Sequence, residues 1–351
     1  MQSLFEAFSQ TYGSFYKTLR ISRGLTYRYL SVPGTNGIAL VWLHGFPSSV
    51  YDWHYQIDHF HAKGYALIVP DLLGYGGTDK PTDSALYKRS VLAADIIEIV
   101  DKEAPSGPVV AIAHDHGVNP MSRLADIHAD RFAGFAFLAV GYFAARPEAF
   151  YNLDQVLSLQ EKLFGKPLFS YWTLFTKSGA PQILEDNFDS FVDMIYAKDI
   201  VNVWTNVMTT RGKAVEWVEG GKRCERASFV SENDYAAMRV HLLGPGRGMT
   251  GPLNWYKNIT EGFEHEDDKD VAAKFPEKFP LKITKPVFFA ATARDAICRP
   301  EVMRPTFDGV AHDITVVDFD TSHWVYLEQP AEFNEALEKW LVAKVPAVKP
   351  Q

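Results

Sequence analysis

Cysteine is scarce in this 351-residue chain. Cys224 and Cys298 lie far apart and in no metal-ligand spacing, which excludes a disulfide framework and a cysteine-based metal centre. Two unpaired thiols fit a reducing compartment. Runs of Lys and Arg are absent, and 35 basic against 43 acidic residues leave a net charge of −8, so nothing here tracks a phosphate backbone. No apolar run approaches the roughly 18 residues of a membrane span. The opening Met1-Gln2-Ser3-Leu4-Phe5-Glu6 lacks the basic start and long apolar core of a signal peptide. The closing Lys349-Pro350-Gln351 is not a peroxisomal tripeptide. Repeats and low-complexity tracts are missing too. The expectation is a cytoplasmic protein.

What the chain does have is apolar content: 47% hydrophobic and 14% aromatic residues, enough for one large domain carrying an insertion. Residues 1–14 read as a short amphipathic helix. Lys17–Ser22 and Leu25–Val32 alternate as two antiparallel strands. Ile38–Leu43 is continuously apolar, as a strand buried on both faces must be. Ser48 or Ser49 then caps a helix to about Ala62. Ala66–Pro70 is a strand leading into the Gly-rich Asp71–Pro81 loop, and Ser84–Ala104 is a helix. Phe132–Val140 is another buried strand. This strand–helix alternation predicts an α/β fold, a mostly parallel sheet covered by helices on both faces. From about Tyr142 to Ala272 the pattern turns helical, uneven and aromatic. Alternation resumes at Lys285–Ala290, with a last strand at Ile314–Phe319 and a closing helix at Pro330–Val345. The predicted organisation is a core of 1–141 and 273–351 with an inserted helical lid, or cap, over 142–272. The acidic stretch Glu264–Asp270 reads most simply as a solvated loop.

One stretch carries chemistry. The strand Pro108–Ile112 ends in Ala113-His114-Asp115-His116-Gly117, and a helix follows from about Asn119 to His128. Strand, tight turn and helix are the setting of a nucleophile elbow, with Asp115 where Ser usually stands. A carboxylate that attacks a saturated carbon leaves an ester, which water can hydrolyse. Serine would leave an inert ether. An aspartate elbow therefore points to displacement at carbon, as in epoxide opening or carbon–halogen cleavage. Asp295 and His323 each fall just past the C-terminal end of a predicted strand, the edge where open α/β sheets bind ligands. Nucleophile, acid and histidine occur in that chain order.

His44-Gly45-Phe46-Pro47, the Asp71–Pro81 loop, His114-Asp115-His116-Gly117, Arg294-Asp295 and Ser322-His323-Trp324 together resemble the soluble-type epoxide hydrolases of the α/β-hydrolase fold, over about Lys17–Lys344. The resemblance implies Asp115 as nucleophile and His323, held by Asp295, as the base that activates water. It places the oxyanion between the backbone N–H groups of Phe46 and His116. Asn254-Trp255-Tyr256 and Phe169-Ser170-Tyr171-Trp172 resemble the lid segments carrying the two ring-opening tyrosines, Tyr256 and Tyr171. Trp255, Trp324 and Pro47 are expected to meet substrate. His44 and His114 read as structural. No metal or organic cofactor is implied. The expected partner is a small-molecule epoxide, with a second copy in a homodimer as one option and no nucleic acid or transmembrane segment.

Phenols suit an alkoxide leaving group, whereas a halide prefers indole or amide N–H donors. The related dehalogenases often carry Trp directly after the nucleophile, and fluoroacetate-type ones carry Arg there and three residues on. This chain has His116 and Asn119. Epoxide hydrolases commonly carry Trp there as well, so His116 is a departure that bears on the pocket wall and substrate range. The competing readings are a haloalkane or haloacid dehalogenase with the same triad, a dedicated biosynthetic hydrolase acting on one complex epoxide, and a catalytically silent binding protein of the same fold.

Overall fold

The wholly apolar segments become the centre of one sheet. In a computed structural model that describes residues 4–104 and 106–345, the strands are β1 (Tyr16–Arg20), β2 (Thr26–Val32), β3 (Ala39–Leu43), β4 (Ala66–Pro70), β5 (Val109–His114), β6 (Gly134–Leu138), β7 (Val287–Thr292) and β8 (Ile314–Phe319). Their order is β1-β2-β4-β3-β5-β6-β7-β8. The β1–β2 and β2–β4 pairs are antiparallel and all others parallel. Every residue of β3, β5, β6 and β7 is buried, while the edge strands β1 and β8 are largely open to solvent. A strand with helices on both of its faces favours apolar side chains throughout, and that is why these runs are nearly continuous rather than alternating, with polar His114 and Thr292 only at the ends of β5 and β7.

The core helices are α1 (Leu4–Tyr12), α2 (His54–Ala62), α3 (Arg89–Glu103) and α4 (Val118–Ile127). Between β6 and β7 the described residues form helices, with isolated bridges from Ala197 to Arg226 and from Ile283 to Ala311. These are α5 (Leu153–Phe164), α6 (Trp172–Phe175), α7 (Ala180–Asp186), α8 (Phe188–Ile195), α9 (Ile200–Val203), a π-helical turn at Trp204–Met208, α10 (Lys213–Glu219), α11 (Glu232–Leu243), α12 (Thr250–Thr260) and α13 (Phe263–Lys274). After β7 come α14 (Pro300–Met303), α15 (Val325–Glu328) and α16 (Pro330–Lys344). Met1-Gln2-Ser3 of the opening stretch and the closing Lys349-Pro350-Gln351 lie outside the described residues.

Ser49 does cap, through a capping box with Asp52 that opens a 3-10 turn leading into α2. Two expectations need correction. The helix expected over Ser84–Ala104 is two pieces, a 3-10 turn at Ser84–Tyr87 and α3, divided at an extended Lys88. The stretch Glu264–Asp270 is no solvated loop but part of α13, with Glu264, Asp267 and Asp268 buried. The two departures share one cause. Glu264 accepts the Arg89 backbone N–H at 3.1 Å and Asp267 accepts that of Ser90 at 3.1 Å, so α13 caps the new start of α3 from outside. Glu264 also pairs with the Arg89 guanidinium at 3.1 Å, and Asp268 with Arg123 at 2.7 Å. Residues 264, 267, 268 and 271 fall on one helical face, so the pattern was present in the sequence but in carboxylates rather than apolar groups.

Candidate active site

Parallel strands bring their C-terminal ends to one edge, and four of those ends build the site. β5 delivers Asp115 in the left-handed region at φ 48°, a conformation that costs a non-glycine residue about 1–3 kcal/mol. The turn after neighbouring β3 lies directly against it. A Cβ on Gly45 would stand 2.4 Å from the Asp115 Cβ, so only glycine fits there. One residue on, the Phe46 N–H donates to Asp115 Oδ1 at 2.8 Å.

β7 and β8 bring the acid and the imidazole. Asp295 Oδ1 accepts the backbone N–H groups of Ile297 and Cys298, each at 2.8 Å, and this turn fixes the carboxylate. Its Oδ2 takes the hydrogen bond from His323 Nδ1 at 2.6 Å. That leaves His323 Nε2 facing Asp115 Oδ2 at 3.5 Å. His114 is fully buried, and its Nε2 meets the His323 carbonyl at 3.0 Å. His44 Nε2 accepts the Leu72 N–H at 3.0 Å. Both imidazoles are scaffold, and burial lowers the pKa of each, that of His114 to about 3.

The charges of the site are strongly coupled. Burial alone would lower the His323 pKa, but Asp295 and Asp115 outweigh it and hold the imidazole well above its ordinary value. Burial would likewise raise Asp115, yet the imidazoles of His116 and His323 bring it far below the usual carboxylate range. The His323 contribution is the larger at neutral pH, because His116 is itself held neutral by burial. The resting state is a carboxylate beside an imidazolium.

A cavity opens above this pair, and Phe46, Asp115, Tyr171, Tyr256, His323 and Trp324 line it. The two phenol rings meet edge to face with centroids 6.2 Å apart. Burial pushes both phenols well above their ordinary value, reinforced by Asp115 for Tyr171 and by Tyr171 and Asp115 for Tyr256, so both remain protonated donors.

Two residues expected to meet substrate, Trp255 and Pro47, lie outside the cavity lining. Trp255 does not line the cavity; its Nε1–H donates to the Leu73 carbonyl at 2.9 Å and its ring packs by Tyr75 and Tyr87. Pro47 follows a cis bond and is not among the lining residues. The His116 side chain also turns away from the lining, into a cluster with Tyr256, Trp255 and Trp172. Conversely, Phe175, Ile195, Trp204, Met208, Ile297 and Cys298 line the cavity and were not singled out from sequence. Cys298 had a usable signal, standing three residues past Asp295. The residues from the helical segment between β6 and β7 had none beyond aromatic content.

Among the described residues, one trio could approach a metal: Asp295, Cys298 and His323, with donor atoms within 4.8 Å of one another. It does not fit a metal well. Both Asp295 oxygens and His323 Nδ1 are already committed to hydrogen bonds, and burial beside Asp295 pushes the Cys298 thiol up to about 12.

A family model described as the alpha/beta hydrolase fold matches residues 38–177. The structure of epoxide hydrolase A from Mycobacterium thermoresistibile superposes with a TM-score of 0.71 at 23% identity, covering 93% of this chain and 98% of that one. The chain has the α/β-hydrolase fold. Among relatives in sequence, this hydrolase-fold chain is 26% identical over 308 residues to bifunctional epoxide hydrolase 2 of Sus scrofa, covering 87% of the chain and 52% of the relative. It is 25% identical over 348 residues to epoxide hydrolase A of Mycobacterium tuberculosis, covering 91% and 95%. The chain thus spans about half the length of the mammalian relatives it matches. No helix among the described residues is long and apolar enough to cross a membrane.

Proposed function

We infer that the chain is an epoxide hydrolase that works through an ester on Asp115, with residues 142–272 acting as the lid that supplies the phenols. Asp115 Oδ2 attacks a ring carbon as the C–O bond breaks, and the epoxide oxygen takes a proton or hydrogen bond from Tyr171 and Tyr256. The departing alkoxide stays on the product, which is why two neutral phenols suit it.

Forming the ester removes the Asp115 charge. One of the two carboxylates that keep His323 protonated is then gone, and the imidazolium passes its proton through cavity water to the phenolate left by ring opening, which restores the phenol and frees the imidazole to act as a base. His323 Nε2 deprotonates a water that adds to the ester carbonyl carbon, while Asp295 holds the imidazolium that results. The oxyanion forms on Oδ1, where the Phe46 N–H already donates, with the His116 N–H as the second donor of this reading. Collapse frees a vicinal diol and restores the carboxylate. All the groups this scheme uses are side chains and backbone amides.

The observation that carries this reading is a carboxylate at a strained elbow, 3.5 Å from an acid-held imidazole and facing a cavity shared with two buried phenols. A single turnover of styrene oxide in heavy-oxygen water tests it. Label should enter the Asp115 carboxyl group; label in the diol alone would refute the ester. Release of halide from a chlorinated or brominated alkane, with no diol from epoxides, would turn the reading to a dehalogenase.

A further inference from the structure

The side chain of His116 is unusual in two ways: it adjoins the nucleophile, and it is buried against Tyr256 with ring centroids 4.3 Å apart at 75°. Its protonation state follows from its neighbours. Arg89 Nε, which can only donate, reaches Asn119 Oδ1 at 3.3 Å. This fixes the amide with its nitrogen toward His116, and Asn119 Nδ2 lies 2.9 Å from His116 Nδ1. An amide nitrogen can only donate as well, so Nδ1 must present a lone pair and the ring proton must sit on Nε2. Arg89 is in turn held by Glu264 of α13 at 3.1 Å and lies over the Phe143 ring at 5.0 Å. The order Glu264–Arg89–Asn119–His116–Tyr256 is thus a buried relay from the outer lid helix to one phenol.

We propose that His116 is a positioning residue for Tyr256, locked by Asn119 and Arg89 as the neutral imidazole with its proton on Nε2. This deepens the epoxide hydrolase reading and rests on it for the role of Tyr256. In a T-shaped pair the positive edge of one ring meets the negative face of the other, so the tautomer decides which edge His116 can offer. The relay aims a donor at the ring-opening step and leaves ester hydrolysis to His323.

Histidine-selective nitrogen-15 NMR of the whole protein reads the tautomer, and rapid mixing with styrene oxide reads ring opening and ester hydrolysis separately. In the wild type the His116 Nδ1 resonance should be that of an unprotonated nitrogen. Asn119→Asp replaces the donating amide by an acceptor of the same shape and should put a proton on Nδ1. Ring opening should then slow roughly tenfold to a hundredfold, the scale of a misplaced reacting group, with hydrolysis unchanged. His116→Phe keeps an aromatic ring but cannot be locked, and it should slow the same step. A protonated Nδ1 in the wild type would overturn the proposal. So would a wild-type ring-opening rate in His116→Phe, because packing alone would then suffice. If the wild type opens no epoxide at all while its Nδ1 is unprotonated, the functional reading fails and the lock stands.

Discussion

Replacing His323 by Gln separates the two half-reactions that Asp115 is proposed to perform. The imidazole stands with Nδ1 2.6 Å from Asp295 and Nε2 3.5 Å from Asp115. Any water within hydrogen-bond reach of Nε2 is therefore next to the carboxyl carbon it must attack. Glutamine keeps a polar group in that space but has no basic nitrogen. General-base assistance of this kind contributes about 10²–10⁴-fold. At 1.36 kcal/mol per factor of ten, that adds about 3–5 kcal/mol to the hydrolysis barrier. Ring opening depends on the carboxylate and the phenols, so it should proceed. The variant should consume one equivalent of styrene oxide rapidly and then stall, with intact-protein mass raised by the full mass of the epoxide and the adduct mapped to Asp115. Tris or another exogenous amine base should not be needed for the first equivalent. Sustained turnover with no adduct would refute the assignment of His323 as the base and of the ester as the intermediate.

The phenols should behave as partners. Tyr171→Phe and Tyr256→Phe should each slow ring opening by about ten- to a hundredfold, and the double variant should lose the step altogether, because an uncompensated alkoxide is left in an apolar cavity; pre-steady-state kinetics checks this. Glu264 gives a pH signature. Burial raises it from 4.5 to about 7, against the Arg89 pairing. Its folded pKa exceeds its unfolded one, so its contribution is full below about pH 4.5 and is lost as pH rises through 7, to a limit of about 3 kcal/mol. Denaturation of Glu264→Gln should show a flatter stability profile than the wild type between pH 5 and 8, and parallel profiles would contradict it. Gly251→Ala should cost about 1–3 kcal/mol by overpacking, because the added Cβ would meet the Gly74 Cα at 2.6 Å. Thermal unfolding measures that loss.

Much of this architecture was legible in the sequence for a physical reason. Doubly buried strands are nearly continuously apolar, so Ile38–Leu43, Pro108–Ile112 and Lys285–Ala290 could be read as strands, and residues that follow parallel strands must lie at one sheet edge. That is how Asp115, Asp295 and His323 could be placed together from residues far apart in the chain. The helical segment between β6 and β7 resisted because its interior helices are short and pack on several sides, which erases a single apolar stripe. Trp255 shows the limit well. A Trp beside a candidate tyrosine reads as pocket wall, but on α12 adjacent residues point about 100° apart, and Trp255 went to the Leu73 carbonyl while Tyr256 went to the cavity. The acidic face of α13 was misjudged because its partners, Arg89, Ser90 and Arg123, belong to helices far earlier in the chain. No local pattern reveals a cap supplied from such a distance.

The meeting of Gly74 and Gly251 makes the two tyrosines unequal. At that point the main chain of α12 rests on the main chain of the loop after β4, and Asn254, Trp255 and Asn258 fasten the helix to carbonyls of Pro81, Thr82, Leu73 and Ser84. Tyr256 is therefore bolted to the same chassis as Asp115, while Tyr171 rides on α6, whose backbone bonds stay within its own neighbourhood. In the proposed cycle Tyr256 is then the donor whose distance to Asp115 is set by the core, and Tyr171 the one set by the helical segment alone.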